Sequence, residues 1–130
     1  MKSLVVEDDA TSRQVLIQIL KAHGSVEAAE NGRVALDKVR AACETNNPFD
    51  LICLDIMMPE LDGQAALEEL RAIEQAFGLE GLDGAKVIMT TALGDKENIL
   101  RAFNAQCEAY LVKPVSKAGL EAQLRKLELL

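Results

Sequence analysis

The sequence is poor in aromatic residues and in cysteine. Its 130 residues include no Trp, one Tyr and three Phe, so the hydrophobic core must be built mainly from aliphatic side chains. The three cysteines are odd in number, show no CxxC spacing and each lie among apolar residues. This pattern is typical of packed, reduced thiols and indicates a cytoplasmic protein rather than a disulfide-bonded one.

Long apolar runs and basic clusters are also missing. No apolar run approaches the roughly 18–20 residues of a membrane-spanning helix, and no basic start followed by an apolar stretch marks a secretion signal. The 21 acidic residues outnumber the 14 basic ones, the net charge is −7, and no basic run exceeds two residues. Because broad binding to nucleic acid or to an anionic membrane needs clustered Lys and Arg, we expect neither partner.

What is present is an alternation of short apolar runs with amphipathic stretches, in a chain that is 49% hydrophobic. Five apolar runs predict strands, at 4–6, 26–29, 51–54, 87–89 and 109–112. Five stretches with helical spacing predict helices. Three lie at 10–23, 64–76 and 95–105; a fourth follows the Asn31-Gly32 turn, and the last follows Ser116 with Leu120, Leu124 and Leu127 on one face. This alternation predicts an α/β protein with a mostly parallel sheet. The strand at the start and the helix at the end leave no residues for a second domain, so we expect one domain over 1–130 and no output domain.

Candidate reactive side chains follow four of the five predicted strands, and the second strand ends at Ala29-Glu30 without an obvious one. They are Glu7-Asp8-Asp9 after the first strand, Asp55 after the third, Thr90-Thr91 after the fourth and Lys113 after the fifth. Each of them alone is explained by a turn, a helix start or a solvated surface. Together they lie where a parallel α/β sheet binds its ligands, outside the carboxyl ends of the strands.

A cluster of carboxylates at this edge has a specific chemistry. Close carboxylates repel one another, and a divalent cation relieves that repulsion; an oxygen-rich set of ligands suits Mg²⁺. A carboxylate beside Mg²⁺ can attack phosphorus and form an acyl phosphate. An ammonium and a hydroxyl then share the charge of the phosphoryl oxygens.

These motifs resemble those of the bacterial two-component response-regulator receiver domain, the family of the chemotaxis regulator. The resemblance covers essentially all of the chain and is carried by LVVED at 4–8, LDIMMP at 54–59 with DG at 62–63, MTTA at 89–92 and YLVKP at 110–114. It implies a flavodoxin-like fold, in which a five-stranded parallel sheet of order 2-1-3-4-5 is flanked by five helices. It also implies a cis peptide bond between Lys113 and Pro114.

The resemblance implies roles in phosphorylation for four residues. Asp55 is the expected phosphoacceptor, and Lys113 is the ammonium that contacts the phosphoryl group. Thr91 is the hydroxyl that bonds the phosphoryl oxygens, because it precedes alanine in the matching motif; Thr90 is the alternative. Tyr110 is the expected switch residue, whose inward or outward rotamer follows the state of Thr91.

The resemblance also implies a magnesium site. Asp8 is the expected direct ligand and Glu7 acts through water, while Asp55 and the backbone carbonyl of Met57 complete the set. Asp9 is an alternative to one of the first two, although its place before a helical stretch favours the N-cap of the first helix.

The function that the resemblance implies is a phosphorylation-dependent signalling switch. A histidine kinase or a histidine phosphotransfer protein would donate the phosphoryl group. The face formed by the predicted helix 95–105, the fifth strand and the last helix would then bind a downstream protein target, as a monomer or a phosphorylation-dependent homodimer. The chain is not an enzyme in the usual sense, although it would catalyse its own phosphorylation and dephosphorylation.

Three alternatives from other classes fit the sequence less well. A flavodoxin-type flavin carrier needs a Ser-, Thr- and Gly-rich phosphate loop after the first strand, where this chain has three acids, and aromatic residues beside the flavin. A haloacid-dehalogenase-type phosphatase resembles DxDx(T/V) around its nucleophile, which Asp55-Ile56-Met57 does not match. A phosphorylation-independent interaction module on the same fold would not need the complete set of site residues.

Overall fold

The structure, a computed structural model, describes residues 1–58, 61–79, 83–92 and 107–130. These residues contain five strands and four α-helices. In chain order the elements are β1 (Lys2–Val6), α1 (Ala10–Leu20), β2 (Ser25–Ala29), α2 (Gly32–Glu44), β3 (Leu51–Asp55), α3 (Gly63–Ala76), β4 (Lys86–Thr91), β5 (Ala109–Val112) and α4 (Lys117–Lys126). The sequence predicts five helices, and four are counted here because the predicted helix 95–105 lies outside the described residues. None of the helices in the described ranges is both long and apolar enough to cross a membrane.

The five strands form one parallel sheet in the order β2-β1-β3-β4-β5. The predicted parallel sheet and its order are thus confirmed. The chain moves outward from β1 to β2 and then returns past β1 to β3, so the strand order reverses between β1 and β3. The carboxyl ends of these two strands therefore border the crevice where α/β sheets bind ligands.

The core has two layers, one on each face of the sheet. The first core layer contains Leu54 and Met89 and packs against α2 and α3; the second contains Cys53 and Ile88 and packs against α1 and α4. Residues that are partners in the parallel register share a layer, because Leu54 pairs with Met89 and Cys53 with Ile88. All five residues of β3 are buried, as its continuous apolar run predicts.

The three cysteines are buried free thiols, in agreement with the expectation of packed, reduced side chains. Burial raises the pKa of Cys53 to about 12, so this thiol stays protonated and behaves as a small apolar side chain.

Each of the four described α-helices begins at a polar side chain that accepts a backbone N–H three residues later. The caps are Asp9, Asn31, Asp62 and Ser116, with donor–acceptor distances of 2.8, 2.9, 2.9 and 3.0 Å. Asn31, Asp9 and Ser116 lie two, three and four positions after the last residue of a strand. The caps therefore help to set where each chain segment leaves the sheet.

A partly buried network of ion pairs and hydrogen bonds lies at the amino ends of β4 and β5. Arg71 on α3 donates from Nη1 to Glu74 Oε1 at 2.7 Å and to the Ala85 carbonyl at 2.8 Å. Its Nη2 donates to both carboxylate oxygens of Glu108 at 3.0 Å. Glu108 Oε2 in turn accepts the Val87 N–H at 2.6 Å. The network thus joins α3 to the amino ends of β4 and β5.

Gly24 connects the short 3₁₀ turn after α1 to β2 and has a φ of +145°. A Cβ atom there would lie 1.9 Å from the Met1 carbonyl oxygen. We expect Gly24→Ala to lower the free energy of unfolding by about 2 kcal/mol, from backbone strain and this collision together. Urea unfolding followed by circular dichroism measures the change.

Gly78 provides the matched control for this substitution. Its φ is also positive, at +79°, but a Cβ atom there meets nothing within 4 Å. Gly78→Ala should therefore cost only about 1 kcal/mol, the backbone part of the effect. Equal losses in the two variants would show that contact with Met1 contributes nothing.

Candidate functional site

Three carboxylates converge at the carboxyl ends of β1 and β3. Glu7 and Asp8 follow β1, and Asp55 is the last residue of β3. One carboxylate oxygen from each lies within 4.8 Å of the others. Glu7 and Asp55 are buried, whereas Asp8 is exposed. The acidic cluster, as we call these three residues, therefore opens to solvent on the side of Asp8.

Asp9 is not part of the acidic cluster. Its carboxylate accepts the Ser12 N–H at 2.8 Å and caps α1. Hydrogen bonding to Ser12 holds the pKa of Asp9 below its ordinary value. The structure thus uses this acid at the helix N-terminus, as its place before α1 predicts.

Lys113 brings a positive charge into the acidic cluster from the end of β5. Its Nζ donates to Glu7 Oε1 at 3.1 Å and lies 3.3 Å from Asp55 Oδ1. Burial opposes the charge of this ammonium, but the hydrogen bond to Glu7 and the negative charge of Asp55 outweigh it, and the pKa of Lys113 is raised. The side chain therefore stays protonated and bridges the two buried acids. The peptide bond between Lys113 and Pro114 is cis.

Asp55 is held by two donors through a single oxygen. Its Oδ1 accepts the Met57 N–H at 3.2 Å and faces Lys113. Burial, followed by the negative charge of Glu7, raises the pKa of Asp55 to about 7, although Lys113 acts in the opposite direction. A proton and a cation compete for this carboxylate, because either one relieves the repulsion from Glu7.

The acidic cluster fits a divalent cation. Glu7 Oε2 is buried and has no hydrogen-bond partner among the described residues. A buried carboxylate oxygen without a partner is costly, and a cation or its bound water would satisfy it. Three carboxylates that leave one side open to water suit the oxygen ligands of Mg²⁺. Met57 is 63% exposed, and its backbone contacts the site through the N–H that donates to Asp55.

Two buried hydroxyls end β4. Thr91 Oγ1 donates to the Ala92 carbonyl at 3.3 Å, whereas Thr90 Oγ1 has no hydrogen-bond partner in the described part of the chain. Tyr110 lies on β5 opposite Met89 and is 39% exposed. Of the predicted site residues at the ends of β4 and β5, Lys113 contacts the acidic cluster, whereas the Thr91 hydroxyl is hydrogen-bonded to the Ala92 carbonyl.

Two further residues hold the strand ends of the site. Arg13, which no sequence motif marks as a site residue, donates from Nη1 to the Glu7 carbonyl at 2.9 Å. In the sequence, this role is indicated only by the position of Arg13 one turn into α1, after the acidic run at 7–9. Gly63 lets α3 begin against the backbone of β3, because a Cβ atom there would lie 2.3 Å from the Asp55 carbonyl oxygen. The motif at 62–63 is therefore explained by close packing of backbone.

Comparison with known proteins identifies close relatives of the chain. The family model for the response regulator receiver domain matches residues 3–125. The transcriptional regulatory protein ZraR of Escherichia coli (strain K12) is 34% identical over 124 residues, which are 95% of this chain and 25% of ZraR. The hybrid signal transduction histidine kinase L of Dictyostelium discoideum is 32% identical over 126 residues, which are 96% of this chain and 7% of that protein. The chain thus spans a quarter or less of the length of these two relatives.

The fold has equally close counterparts among solved structures. The receiver domain of the histidine kinase CKI1 from Arabidopsis thaliana, solved in complex with Mg²⁺ and BeF₃⁻, matches with a TM-score of 0.83 and 29% identity. The match covers 98% of this chain and 89% of that one. Since both the family model and the fold comparison take in nearly the whole sequence, this chain belongs to the response regulator receiver domains, the signalling domains of two-component systems.

Proposed function

We propose that this chain is a phosphorylation-dependent switch in which Asp55 accepts a phosphoryl group from a histidine kinase or a histidine phosphotransfer protein. One observation carries the proposal. A buried carboxylate at the end of β3 lies beside two further acids and the ammonium of Lys113, at the point where the strand order reverses. This combination supplies a nucleophile, a cation site and a fixed positive charge in one crevice.

In the transfer, a carboxylate oxygen of Asp55 attacks the phosphorus of a phosphohistidine. A P–O bond forms while the P–N bond breaks, and the imidazole leaves with the electron pair of that bond and is protonated by solvent. The product on Asp55 is an acyl phosphate. Lys113 already contacts Asp55 and balances the charge of the phosphoryl oxygens, and Thr91 donates its hydroxyl to one of them.

Four groups would hold Mg²⁺ in this site. They are the carboxylates of Asp8 and Asp55, that of Glu7 through water, and the backbone carbonyl of Met57. When bound, the cation reduces the repulsion among the carboxylates and neutralises charge on the phosphoryl oxygens. The buried Glu7 oxygen that lacks a hydrogen-bond partner supports this assignment.

The signal passes from Thr91 to the outer edge of the sheet. Thr91 pairs with Val112 and Met89 pairs with Tyr110, so Thr91, Tyr110 and Val112 share one face of the sheet. β5 is an edge strand, and the side chains of Tyr110 and Val112 are exposed. Movement of Thr91 toward the phosphoryl group lets Tyr110 turn inward and reshapes the face of β5, α4 and the predicted helix 95–105. A downstream protein target, or a second phosphorylated copy, binds the face that phosphorylation favours.

The alternative functions gain no support from the site. The buried carboxylates of Glu7 and Asp55 repel the phosphate of a flavin nucleotide. A buried acid–ammonium pair adds little stability compared with apolar packing. A module that does not depend on phosphorylation would therefore gain little from it.

Phosphorylation by a small-molecule donor tests the proposal directly. We expect acetyl phosphate with Mg²⁺ to add one phosphoryl group to the intact protein, with acetate as the leaving group, and excess EDTA to suppress the reaction. Intact-mass spectrometry against time measures both conditions. A protein whose mass does not change in the presence of Mg²⁺ would contradict the proposed function, and equal uptake with EDTA would contradict the role of the cation.

A further inference from the structure

Thr90 lies on the same face of the sheet as Asp55. The two residues are partners in the parallel register of β3 and β4. Two positions earlier, their neighbours Cys53 and Ile88 are partners too, and both belong to the second core layer. Because side chains alternate along a strand, Asp55 and Thr90 return to that same side. Neighbouring strands are roughly 4.8 Å apart, so a rotation about the Cα–Cβ bond suffices to bring the Thr90 hydroxyl near the Asp55 carboxylate.

The Thr90 hydroxyl is buried and unpaired. The residue is 1% exposed, and its Oγ1 has no hydrogen-bond partner among the described residues. A buried hydroxyl that donates no hydrogen bond destabilises the folded protein, and valine would fill the same volume without this cost. Thr90 therefore weakens the unphosphorylated protein, and an acceptor that formed near its hydroxyl would remove this cost.

Phosphorylation of Asp55 would create that partner. Asp55 Oδ1 now has two donors, the Met57 N–H and the Lys113 ammonium. If Lys113 follows the added charge to the phosphoryl oxygens, Asp55 loses one of these donors while it stays buried. We propose that Thr90 is a positioning residue whose hydroxyl then donates to the Asp55 oxygen that Lys113 has left, an inference that rests on the proposed function.

This role is distinct from that of Thr91. Thr91 lies on the face of the sheet opposite to Thr90, the same face as Met89 of the first core layer. Its hydroxyl donates to the Ala92 carbonyl. The two threonines of the motif thus serve opposite sides of β4. Thr91 reaches the phosphoryl group and the switch face, whereas Thr90 supports the aspartyl oxygen from the side of α1 and α4.

Binding of trifluoroberyllate, a non-covalent stand-in for the phosphoryl group, tests the inference at equilibrium. Fluorine NMR measures its dissociation constant in the presence of Mg²⁺. We expect Thr90→Val to weaken binding about tenfold, the value of one hydrogen bond to a charged or strongly polarised acceptor. Thr90→Ser, which keeps the hydroxyl, should stay within about threefold of the original protein. Thr90→Ala provides a second deletion of the hydroxyl that introduces no new methyl group near Asp55.

Ser3 offers a matched control for the loss of a buried hydroxyl. It lies on β1 at the far end of the sheet, and its Oγ is also buried without a hydrogen-bond partner among the described residues. Both Ser3→Ala and Thr90→Val should leave the urea stability equal to or above that of the original protein, and only Thr90→Val should weaken trifluoroberyllate binding.

The outcomes separate this inference from the proposed function. If the original protein does not bind trifluoroberyllate with Mg²⁺, the proposed function fails. If it binds and the hydroxyl deletions bind equally well, the role of Thr90 is wrong while the proposed function stands. A loss in Thr90→Ser as large as in Thr90→Val, or an equal loss in Ser3→Ala, would also overturn that role.

Discussion

Asp55→Asn should take up no phosphoryl group from acetyl phosphate in the presence of Mg²⁺. The amide has nearly the shape of the carboxylate, so the crevice and its hydrogen bond from Met57 are kept, but the amide oxygen is not an effective nucleophile at phosphorus. The substitution also removes one carboxylate from the acidic cluster. We therefore expect a complete loss of modification, measured by intact mass and by the mass of the peptide that contains residue 55.

Asp62→Asn is the matched control for this experiment. Asp62 is exposed, lies seven positions along the chain, and caps α3 through a 2.9 Å hydrogen bond from the Ala65 N–H. Asparagine caps helices as well as aspartate does, so this variant should be phosphorylated like the original protein. Undiminished uptake by Asp55→Asn would show that the phosphoryl group is carried elsewhere and would overturn the central assignment.

The same Asp55→Asn variant should be more stable than the original protein at alkaline pH, by about 4 kcal/mol. The folded protein holds the pKa of Asp55 at about 7, chiefly through burial and then through the charge of Glu7, whereas the unfolded chain ionises this group near its ordinary value of 3.8. Between these two values the folded state binds the additional proton, so the stability of the original protein falls as pH rises from about 4 to about 7 and stays low above. The advantage of the amide should therefore vanish near pH 4.

Urea unfolding at several pH values, with EDTA present, measures this difference. Added Mg²⁺ should reduce the stability difference between the two proteins at alkaline pH. The cation binds the folded original protein more tightly than the folded variant and therefore stabilises the original protein more. Glu69→Gln on α3 provides a control for the loss of one exposed carboxylate. A stability difference that is constant from pH 4 to pH 8 would mean that the Asp55 charge is not the cause.

Short-range patterns in the sequence were sufficient to predict the parallel sheet and the edge at which the polar strand ends meet, whereas the strand order was implied by the resemblance to the receiver family. Continuous apolarity predicted β3, and strict alternation of elements predicted the parallel sheet. Once the strands are parallel, their carboxyl ends share one edge, which brings Lys113 to Glu7 although 106 positions separate them.

Other features depend on distances that no local pattern contains. Arg71 and Glu108 look like ordinary solvated charges in the sequence, and only the packing of α3 beside β4 and β5 makes them partners. The faces of Thr90 and Thr91 depend on the register between β3 and β4, and a shift of one residue would exchange them. The raised pKa of Asp55 likewise results from burial, which the residue type alone does not indicate.

The single tyrosine has a practical consequence. Because the chain contains one Tyr and no Trp, its tyrosine emission comes from one position, Tyr110 on the exposed edge of the sheet. The protein therefore carries its own optical reporter at the residue expected to change environment. Emission intensity and acrylamide quenching can follow that residue in real time, in unlabelled protein, during any of the titrations described above.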